Sequence, residues 1–251
     1  MVGARAPRAL DLAGSRPNIS AMTKRDVTKP GAENVSRFLE QVERTPARGD
    51  RGRRGRLVFA MDATASREPS WDRAVQVQGQ MFLETQAKGG LDVQLVYFRG
   101  FDECRASKWV REPRALVDLM TKVMCRAGRT QIERVLNHAL RQAKEAPVDA
   151  LVYVGDCCEE DVDRLGHLAG QLGARGVRAF VFQEGDDPVA SRAFRDIAKL
   201  TGGAHCRLSS TSPDELRQLL GAVAAYAAGG VAALEDANRR QAHRVRLLTK
   251  S

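Results

Sequence analysis

Residues 56–66 read Arg-Leu-Val-Phe-Ala-Met-Asp-Ala-Thr-Ala-Ser, a short apolar run that ends on a carboxylate followed at alternate positions by two hydroxyls. The apolar part, residues 57–61, has the length and composition of a β-strand that is buried on both faces. Asp62 falls where such a strand would leave its sheet, and Thr64 and Ser66 follow on the same tight loop. Open α/β sheets bind ligands at the carboxyl ends of their strands, and hard divalent cations prefer oxygen ligands. The stretch therefore predicts a metal site on an α/β sheet.

Strand patterns and helix patterns alternate along the rest of the chain. Apolar runs predict strands at 91–98, 150–154, 177–182 and 204–208, with a short edge strand at 103–110. Helical periodicity predicts helices at 71–87, 113–124, 160–172, 188–200 and 212–227, and one more that opens at residue 130. Single helices between strands produce βαβ units with right-handed crossovers. The predicted fold class is therefore α/β, a doubly wound, mostly parallel six-stranded sheet of Rossmann-like type, with helices on both faces and one short antiparallel edge strand.

Composition divides the chain into four parts. Residues 1–31 combine Pro, Gly, Arg and Ser without periodicity, which predicts a disordered segment. Residues 32–55 hold an amphipathic helix, at about 32–43, and a linker rich in Arg and Gly. The α/β domain is predicted to span 56–228. Residues 229–251 form a basic C-terminal tail.

The positive charge of the chain belongs to its two ends. The formal net charge of the 251 residues is +9, but residues 1–55 hold 12 Lys and Arg against 6 Asp and Glu, and residues 238–251 hold 5 against none. The remaining residues hold 23 against 25. Clustered basic residues can bind nucleic acid, but these clusters are short and carry no interleaved aromatic residue for base stacking. Solvated tails are the favoured interpretation, and nucleic-acid binding is the weaker alternative.

The five cysteines show neither a disulfide framework nor a zinc-finger spacing, which is typical of a reducing compartment. No run approaches the length of a membrane span, and no signal-peptide core follows the first arginines. We therefore expect a cytoplasmic protein without a membrane partner. Adjacent Cys157 and Cys158 are better explained as small buried thiols than as a reactive pair. A zinc site of Cys157, His205 and Cys206 is a weaker alternative, because no pair of ligands has the usual short spacing.

Two later residues can complete the metal site predicted at Asp62. Thr130 follows a glycine-containing loop, and Asp156 follows the apolar run 150–154. In the common doubly wound order, the strands that carry Asp62 and Asp156 are neighbours at the switch point, where the loops part and form a crevice. Two carboxylates and three hydroxyls would make an oxygen-rich site suited to Mg²⁺ or Mn²⁺. Two simpler roles stay open: Asp62 could stabilise its own loop, and Thr130 could form a capping box with Glu133.

These residues carry a family resemblance. Asp62-Ala-Thr64-Ala-Ser66, then Gly128-Arg-Thr130, then Tyr153-Val-Gly-Asp156 resemble, in order and spacing, the von Willebrand factor A (VWA) domain family with its metal-ion-dependent adhesion site. The resemblance covers roughly residues 56–228 and points to the bacterial intracellular type. It implies a metal set of Asp62, Thr64, Ser66, Thr130 and Asp156 for Mg²⁺, or for Mn²⁺ or Ca²⁺. Three departures stand out: Thr64 replaces a serine, Arg129 replaces a glycine, and Gly155-Asp156-Cys157 stands where Thr-Asp-Gly is common.

Two functional hypotheses follow from different classes. The resemblance implies a non-enzymatic module for protein–protein interaction, in which the cation accepts an Asp or Glu from a partner protein, and it suggests an AAA-type ATPase or an assembly complex as that partner. The alternative is a Mg²⁺-dependent phosphohydrolase with Asp62 as nucleophile. Against the enzyme, Thr64 stands where a general-acid Asp is expected. The exposed acids Asp102, Glu103, Glu159, Glu160 and Asp161 are expected to be solvated charges around the site.

Overall fold

The computed structural model describes residues 30–46, 53–68, 91–208 and 213–229, and the helix predicted at 71–87 lies outside these ranges. The strands are β1 (Gly55–Asp62), β2 (Leu91–Arg99), β3 (Glu103–Ala106), β4 (Ala150–Gly155), β5 (Arg178–Gln183) and β6 (Ala204–Arg207). The helices are α1 (Pro30–Arg44), α2 (Pro113–Met120), α3 (Ile132–Glu145), α4 (Val162–Ala174), α5 (Pro188–Thr201) and α6 (Pro213–Gly229). A 3₁₀ turn, Ala65–Arg67, follows β1.

The six strands form one sheet in the order β3-β2-β1-β4-β5-β6. All neighbours are parallel except β3, which runs antiparallel to β2 at one edge. Residues 55–62 pair with β2 on one side, and residues 57–61 pair with β4 on the other, with Met61 opposite Val154. Strand order therefore reverses between β1 and β4, which confirms the predicted doubly wound sheet and its switch point.

Alternate residues of the central strands enter two separate cores, because successive side chains of a strand point to opposite faces. Phe59 and its face of the sheet pack with α1, α2 and α6, whereas Val58 and Ala60 pack with α3, α4 and α5. All strand residues from Leu57 to Met61 are fully buried. Each large side chain buried in this way contributes about 1.5–3 kcal/mol of hydrophobic stabilisation. Double coverage explains why this strand has a continuous apolar run and no alternation.

Helix α1 closes one end of the first core. Its buried residues Val35, Phe38 and Val42 are spaced by three and four positions, which places them on one side of the helix. The ring of Phe38 lies 5.1 Å from that of Phe182 on β5, measured between centroids. Gln41 donates a hydrogen bond of 2.8 Å to the carbonyl of Gly203, next to β6. The amphipathic pattern of residues 32–43 thus correctly predicted a helix that packs on the sheet.

Two elements are each four residues shorter than the sequence predicted. The edge strand β3 ends at Ala106, because the Ser107 hydroxyl then accepts the N–H of Leu95 in place of a backbone carbonyl. One more backbone pair, Val93 with Val110, keeps the chain beside β2. Helix α2 ends at Met120, four residues earlier than expected. No described helix has both the length and the apolar character needed to cross a bilayer.

Arg53 and Arg54 belong to the predicted basic linker. They are held at the edge of the sheet where the parallel strands begin. Arg53 forms a bidentate ion pair with Asp149, which also accepts the N–H of Arg56 at 2.8 Å. Arg54 pairs with Asp92 at 3.0 Å. Both arginines directly precede β1, and each neutralises an acidic residue near the start of a neighbouring strand. These two charges therefore fasten β1 to its neighbours, which reduces what the linker can offer to a nucleic acid.

Candidate metal centre

The two predicted carboxylates lie beside each other at the carboxyl edge of the sheet. Asp62 is the last residue of β1, and Asp156 directly follows β4, the strand that pairs with β1. Met61 pairs with Val154, so β1 and β4 end at nearly the same level of the sheet. The negative charge of Asp156 is close enough to contribute to the raised pKa of Asp62. The sheet thus brings together two residues that are 94 positions apart in the sequence.

Asp62 is a fully buried carboxylate. Its Oδ1 accepts the backbone N–H of Thr64 at 2.8 Å, while no hydrogen-bond donor among the described residues reaches Oδ2. Burial raises the pKa of Asp62 to about 6, and the hydrogen bonds from Thr64 counteract only part of this increase. Oδ1 of Asp156 is likewise buried and has no donor in the described part of the chain. Unsatisfied buried carboxylate oxygens are costly, so their presence points to a cationic ligand.

The loop after Asp62 presents two hydroxyls. The bond from the Thr64 N–H to the Asp62 carboxylate closes an Asx-type turn, which is a common way for Asp to fix a tight loop. Thr64 is buried and Ser66 is exposed, and their hydroxyl oxygens lie 3.1 Å apart. Both hydroxyls therefore face the same space. The loop-stabilising role considered for Asp62 uses Oδ1 and leaves Oδ2 for another partner.

Thr130 does not cap the following helix. Helix α3 begins at Ile132, and the side chain of the preceding Gln131 does not cap it. The carboxylate of Glu160 instead accepts the N–H groups of Ile132 at 2.6 Å and Glu133 at 2.8 Å. The capping-box alternative for Thr130 and Glu133 is therefore wrong, because a residue 28 positions later caps the helix.

Thr130 is instead joined to the loop that follows Asp156. Its hydroxyl accepts the N–H of Glu159 at 3.0 Å, and its own N–H donates to the Glu159 carboxylate at 3.0 Å. Thr130 is buried, and its hydroxyl oxygen keeps a second lone pair. The loop before α3 and the loop after β4 are thus held together at the edge that carries Asp62.

Two glycines of the loops at this edge lie in close contacts that leave little room for a side chain. A Cβ on Gly128 would lie 2.0 Å from the carbonyl oxygen of Gly100, so the close contact between these loops requires a glycine. A Cβ on Gly155 would lie 2.5 Å from the hydroxyl of Tyr153, whose ring fills the space. The bulky Tyr153 thus accounts for Gly155 where the family commonly has a threonine.

Sequence analysis missed Arg67, the largest fully buried side chain at this edge. Arg67 follows Ser66 in the 3₁₀ turn and forms an ion pair with Glu184, which follows β5. Burial acts to lower the pKa of Arg67, but the hydrogen bond to Glu184 and the charges of Glu184, Asp62 and Asp156 together raise it. The guanidinium therefore lies within electrostatic reach of both candidate metal ligands. No local sequence signal marks this residue, because the turn alone directs it inward.

The acidic residues around the site are not simply solvated. Glu160 caps α3, and the Asp161 carboxylate accepts two N–H groups at the start of α4. Glu103 forms ion pairs with Arg99 and Arg105 at 2.9 Å. The expectation of solvated charge is therefore incomplete for all three, since each also has a specific structural partner.

The zinc alternative finds no support in the described residues. Burial raises the pKa of the Cys157 thiol to about 11 and lowers that of His205 to about 4. Cys206 is buried in the core that faces α1, whereas His205, the preceding residue of the strand, is bonded to Gln183. Within the described ranges, no three His, Cys, Asp or Glu side chains are grouped closely enough to hold an ion. The five predicted ligands therefore rely on hydroxyls beside two carboxylates, a donor set that fits a hard divalent cation better than zinc.

Comparisons with known proteins identify the fold. No family model and no curated protein matches the sequence. Among solved structures, an aerotolerance-related membrane protein from Bacteroides fragilis is 14% identical with a TM-score of 0.53, over 66% of this chain and 96% of that one. The VWA domain of SpRpn10 is 12% identical with a TM-score of 0.53, over 67% and 94%. The pilus adhesin SpaC from Lactobacillus rhamnosus GG is 10% identical with a TM-score of 0.54, over 72% and 30%. The chain therefore has a VWA-like α/β fold.

Proposed function

We propose that this chain is a protein-interaction module that holds a divalent cation at the carboxyl edge of its VWA-like sheet and uses it to bind an acidic residue of a partner protein. The ligands are Asp62, Thr64, Ser66, Thr130 and Asp156, and the ion is Mg²⁺, or Mn²⁺ or Ca²⁺. One observation carries the proposal: Asp62 is a fully buried carboxylate with an oxygen that no described donor reaches, and beside it the half-buried Asp156 has one buried oxygen that no described donor reaches. A divalent cation would satisfy both.

The ligand chemistry supports a role in recognition. When each carboxylate binds through one oxygen, two carboxylates and three hydroxyls supply five ligands, whereas Mg²⁺ takes six. When bound, such an ion offers an open coordination position with both charge and direction. A carboxylate from another protein has the hard oxygen and the negative charge that this position requires. One structurally similar protein is described as a pilus adhesin, which agrees with a binding function on this fold.

An acidic segment of an AAA-type ATPase or of an assembly complex is the proposed partner class, in keeping with the VWA resemblance. We do not propose the phosphohydrolase alternative. A nucleophilic carboxylate must reach the phosphorus of its substrate, but Asp62 is fully buried and one of its oxygens is bonded to its own loop. In addition, Thr64 cannot serve as the general acid that this chemistry requires.

Calorimetric titration of the full chain with Mg²⁺, Mn²⁺ and Ca²⁺ tests the metal. We expect the wild type to bind at least one of these ions, and Asp62→Ala and Asp156→Ala to lose binding while circular dichroism remains unchanged. Asp196→Ala is the matched control, because Asp196 lies on α5 and pairs with Arg192 on the helix surface. Equal ion binding by Asp62→Ala, or no ion binding by the wild type, would contradict the proposal.

A further inference from the structure

Two large apolar side chains stand out on the described surface. Phe101 is 69% exposed and Met124 is 71% exposed, whereas the next most exposed, Val189 and Leu200, are 48% exposed. Single exposed apolar residues are normal on soluble proteins. Phe101 and Met124, however, belong to two loops that contact each other at the edge of the sheet that carries Asp62.

Backbone contacts fix these two loops against each other. The N–H of Arg129 donates to the carbonyl of Gly100 at 3.1 Å, next to Phe101. The guanidinium of Arg99 donates to the carbonyl of Met124 at 2.8 Å. Because Gly128 packs directly on Gly100, the two loops form one continuous surface. We call the side chains of Phe101, Met124, Arg126 and Arg129 the basic-apolar rim.

The basic-apolar rim borders the candidate metal centre directly. The N–H of Arg126 donates to the carbonyl of Ala63 at 3.0 Å, and Arg126 also forms a backbone bridge with Thr64. A ligand bound beside Asp62 and Thr64 would therefore have this rim as its nearest neighbour. Arg129 of the rim directly precedes the candidate ligand Thr130, so a single extended partner segment can span the rim and the metal centre.

The charges around the crevice differ between its two sides. On the rim side, the side chain of Arg126 is 65% exposed, Arg129 is exposed, and Glu103 is shared among Arg99, Arg105 and Arg126. Asp102, which lies between Phe101 and Glu103, is paired with Arg134. Glu159 lies between the two sides, because its carboxylate accepts the N–H of Thr130, next to Arg129. On the far side, the loops after β4 and β5 carry the exposed acids Asp161 and Asp186. An acidic ligand is thus attracted to the rim side and repelled from the far side.

We propose that the basic-apolar rim is a docking surface for an acidic partner segment that also carries an aromatic or aliphatic side chain. Its apolar side chain packs on Phe101 and Met124, while its carboxylates lie near Arg126 and Arg129. This inference rests on the proposed function in one respect only: the part of the partner segment that contacts the rim would lie beside the partner's acidic residue that binds the cation. Aromatic and Arg side chains supply most of the binding energy of interfaces, and flexible Met adapts to varied apolar partners.

Selection from a library of short random displayed peptides on the full-length chain tests the ligand chemistry. We expect the selected peptides to combine Asp or Glu with Phe, Leu or another large apolar residue. The synthesised peptides should bind Phe101→Ser/Met124→Ser and Arg126→Glu/Arg129→Glu about tenfold more weakly than the wild type. Lys199→Glu/Leu200→Ser is the matched control, because it makes the same kinds of change at the far end of α5, and it should bind as the wild type does.

Measurements with excess Mg²⁺ and with chelator separate this inference from the proposed function. Weaker binding by the rim variants under both conditions supports the rim, even when Mg²⁺ has no effect. Mg²⁺-dependent binding that the rim variants retain in full would overturn the rim and leave the metal proposal standing. Selection of basic peptides, or of none, would also overturn it. So would ultracentrifugation that shows a wild-type dimer and monomeric Phe101→Ser/Met124→Ser, since the occupant would then be a second copy of the chain.

Discussion

Replacing Asp62 by Asn should make the metal-free protein more stable at neutral pH. The carboxylate of Asp62 is fully buried, and its pKa is raised from 3.8 to about 6, chiefly by burial. A group whose pKa is higher in the folded state destabilises the fold wherever it is ionised, at about 1.4 kcal/mol per pKa unit. The ionised carboxylate therefore costs about 3 kcal/mol above pH 6. Asn is nearly isosteric and uncharged, so it removes this cost.

The hydrogen bonds from Thr64 are already included in this cost, because they lower the pKa of Asp62 and so reduce its net increase. We therefore expect Asp62→Asn to raise the free energy of unfolding by about 3 kcal/mol. The sign depends on pH: the folded wild type takes up its extra proton as the pH falls through 6 toward 4. The advantage of Asn should be complete above pH 6 and vanish near pH 4.

Urea unfolding in chelator, followed by circular dichroism at about pH 7.5 and about pH 4.5, measures both the size and the pH dependence of this effect. Asp196→Asn, on the surface of α5, is the control and should leave stability unchanged at both pH values. A saturating divalent ion should reverse the order, since a ligand at about 1,000 times its Kd stabilises only the wild type by about 4.1 kcal/mol. A less stable Asp62→Asn protein at neutral pH in chelator would refute the reasoning.

Three further variants test the neighbouring groups. Arg67→Met should lower the free energy of unfolding by about 3–5 kcal/mol, because it removes the fully buried cation that pairs with Glu184 and acts on Asp62 and Asp156. A loss below about 1 kcal/mol in urea would contradict this. Thr130→Val should cost about 1 kcal/mol, because the N–H of Glu159 loses its acceptor, and should weaken Mg²⁺ binding in calorimetry; unchanged ion affinity would remove Thr130 from the ligand set. The wild type should lose stability as the pH falls from about 7 to about 4.5, because burial lowers the pKa of His205 to about 4 and the unfolded chain takes up the proton first. His205→Gln should reduce this loss by about 2 kcal/mol. Parallel pH profiles of the free energy of unfolding for the two proteins would contradict this.

The sequence was sufficient to predict the sheet and the meeting of Asp62 with the loop after β4. Residues 57–61 and 150–154 are apolar throughout because both faces of these strands are covered, and such runs identify central strands. Once the strands alternate with helices, only a few strand orders remain, and the common one makes β1 and β4 neighbours. These predictions succeeded because each depends on a pattern that extends over a whole element.

The contacts that the sequence could not supply are made by single side chains across long separations. Glu160 caps a helix that begins 28 residues earlier, so the local pattern around Thr130 and Glu133 favoured the wrong acceptor. Arg67 is directed inward by a turn of only three residues, to meet Glu184 on a distant loop. A helix cap or an ion pair needs one favourable placement and no periodicity. Such contacts therefore become visible only when the three-dimensional arrangement is known.

The charges gathered at the switch point favour a divalent ion over a monovalent one. Asp62, Asp156 and Glu184 carry three negative charges when ionised, and Arg67 within electrostatic reach of all three carries one positive charge. These three negative charges and the single positive charge of Arg67, which is paired with Glu184, sum to −2. A cation with two positive charges balances this sum, whereas Na⁺ or K⁺ would leave one negative charge at the centre. If the proposed cation binds, an approaching partner carboxylate would meet no net repulsion from these four groups, and the arginines of the basic-apolar rim would supply the attraction.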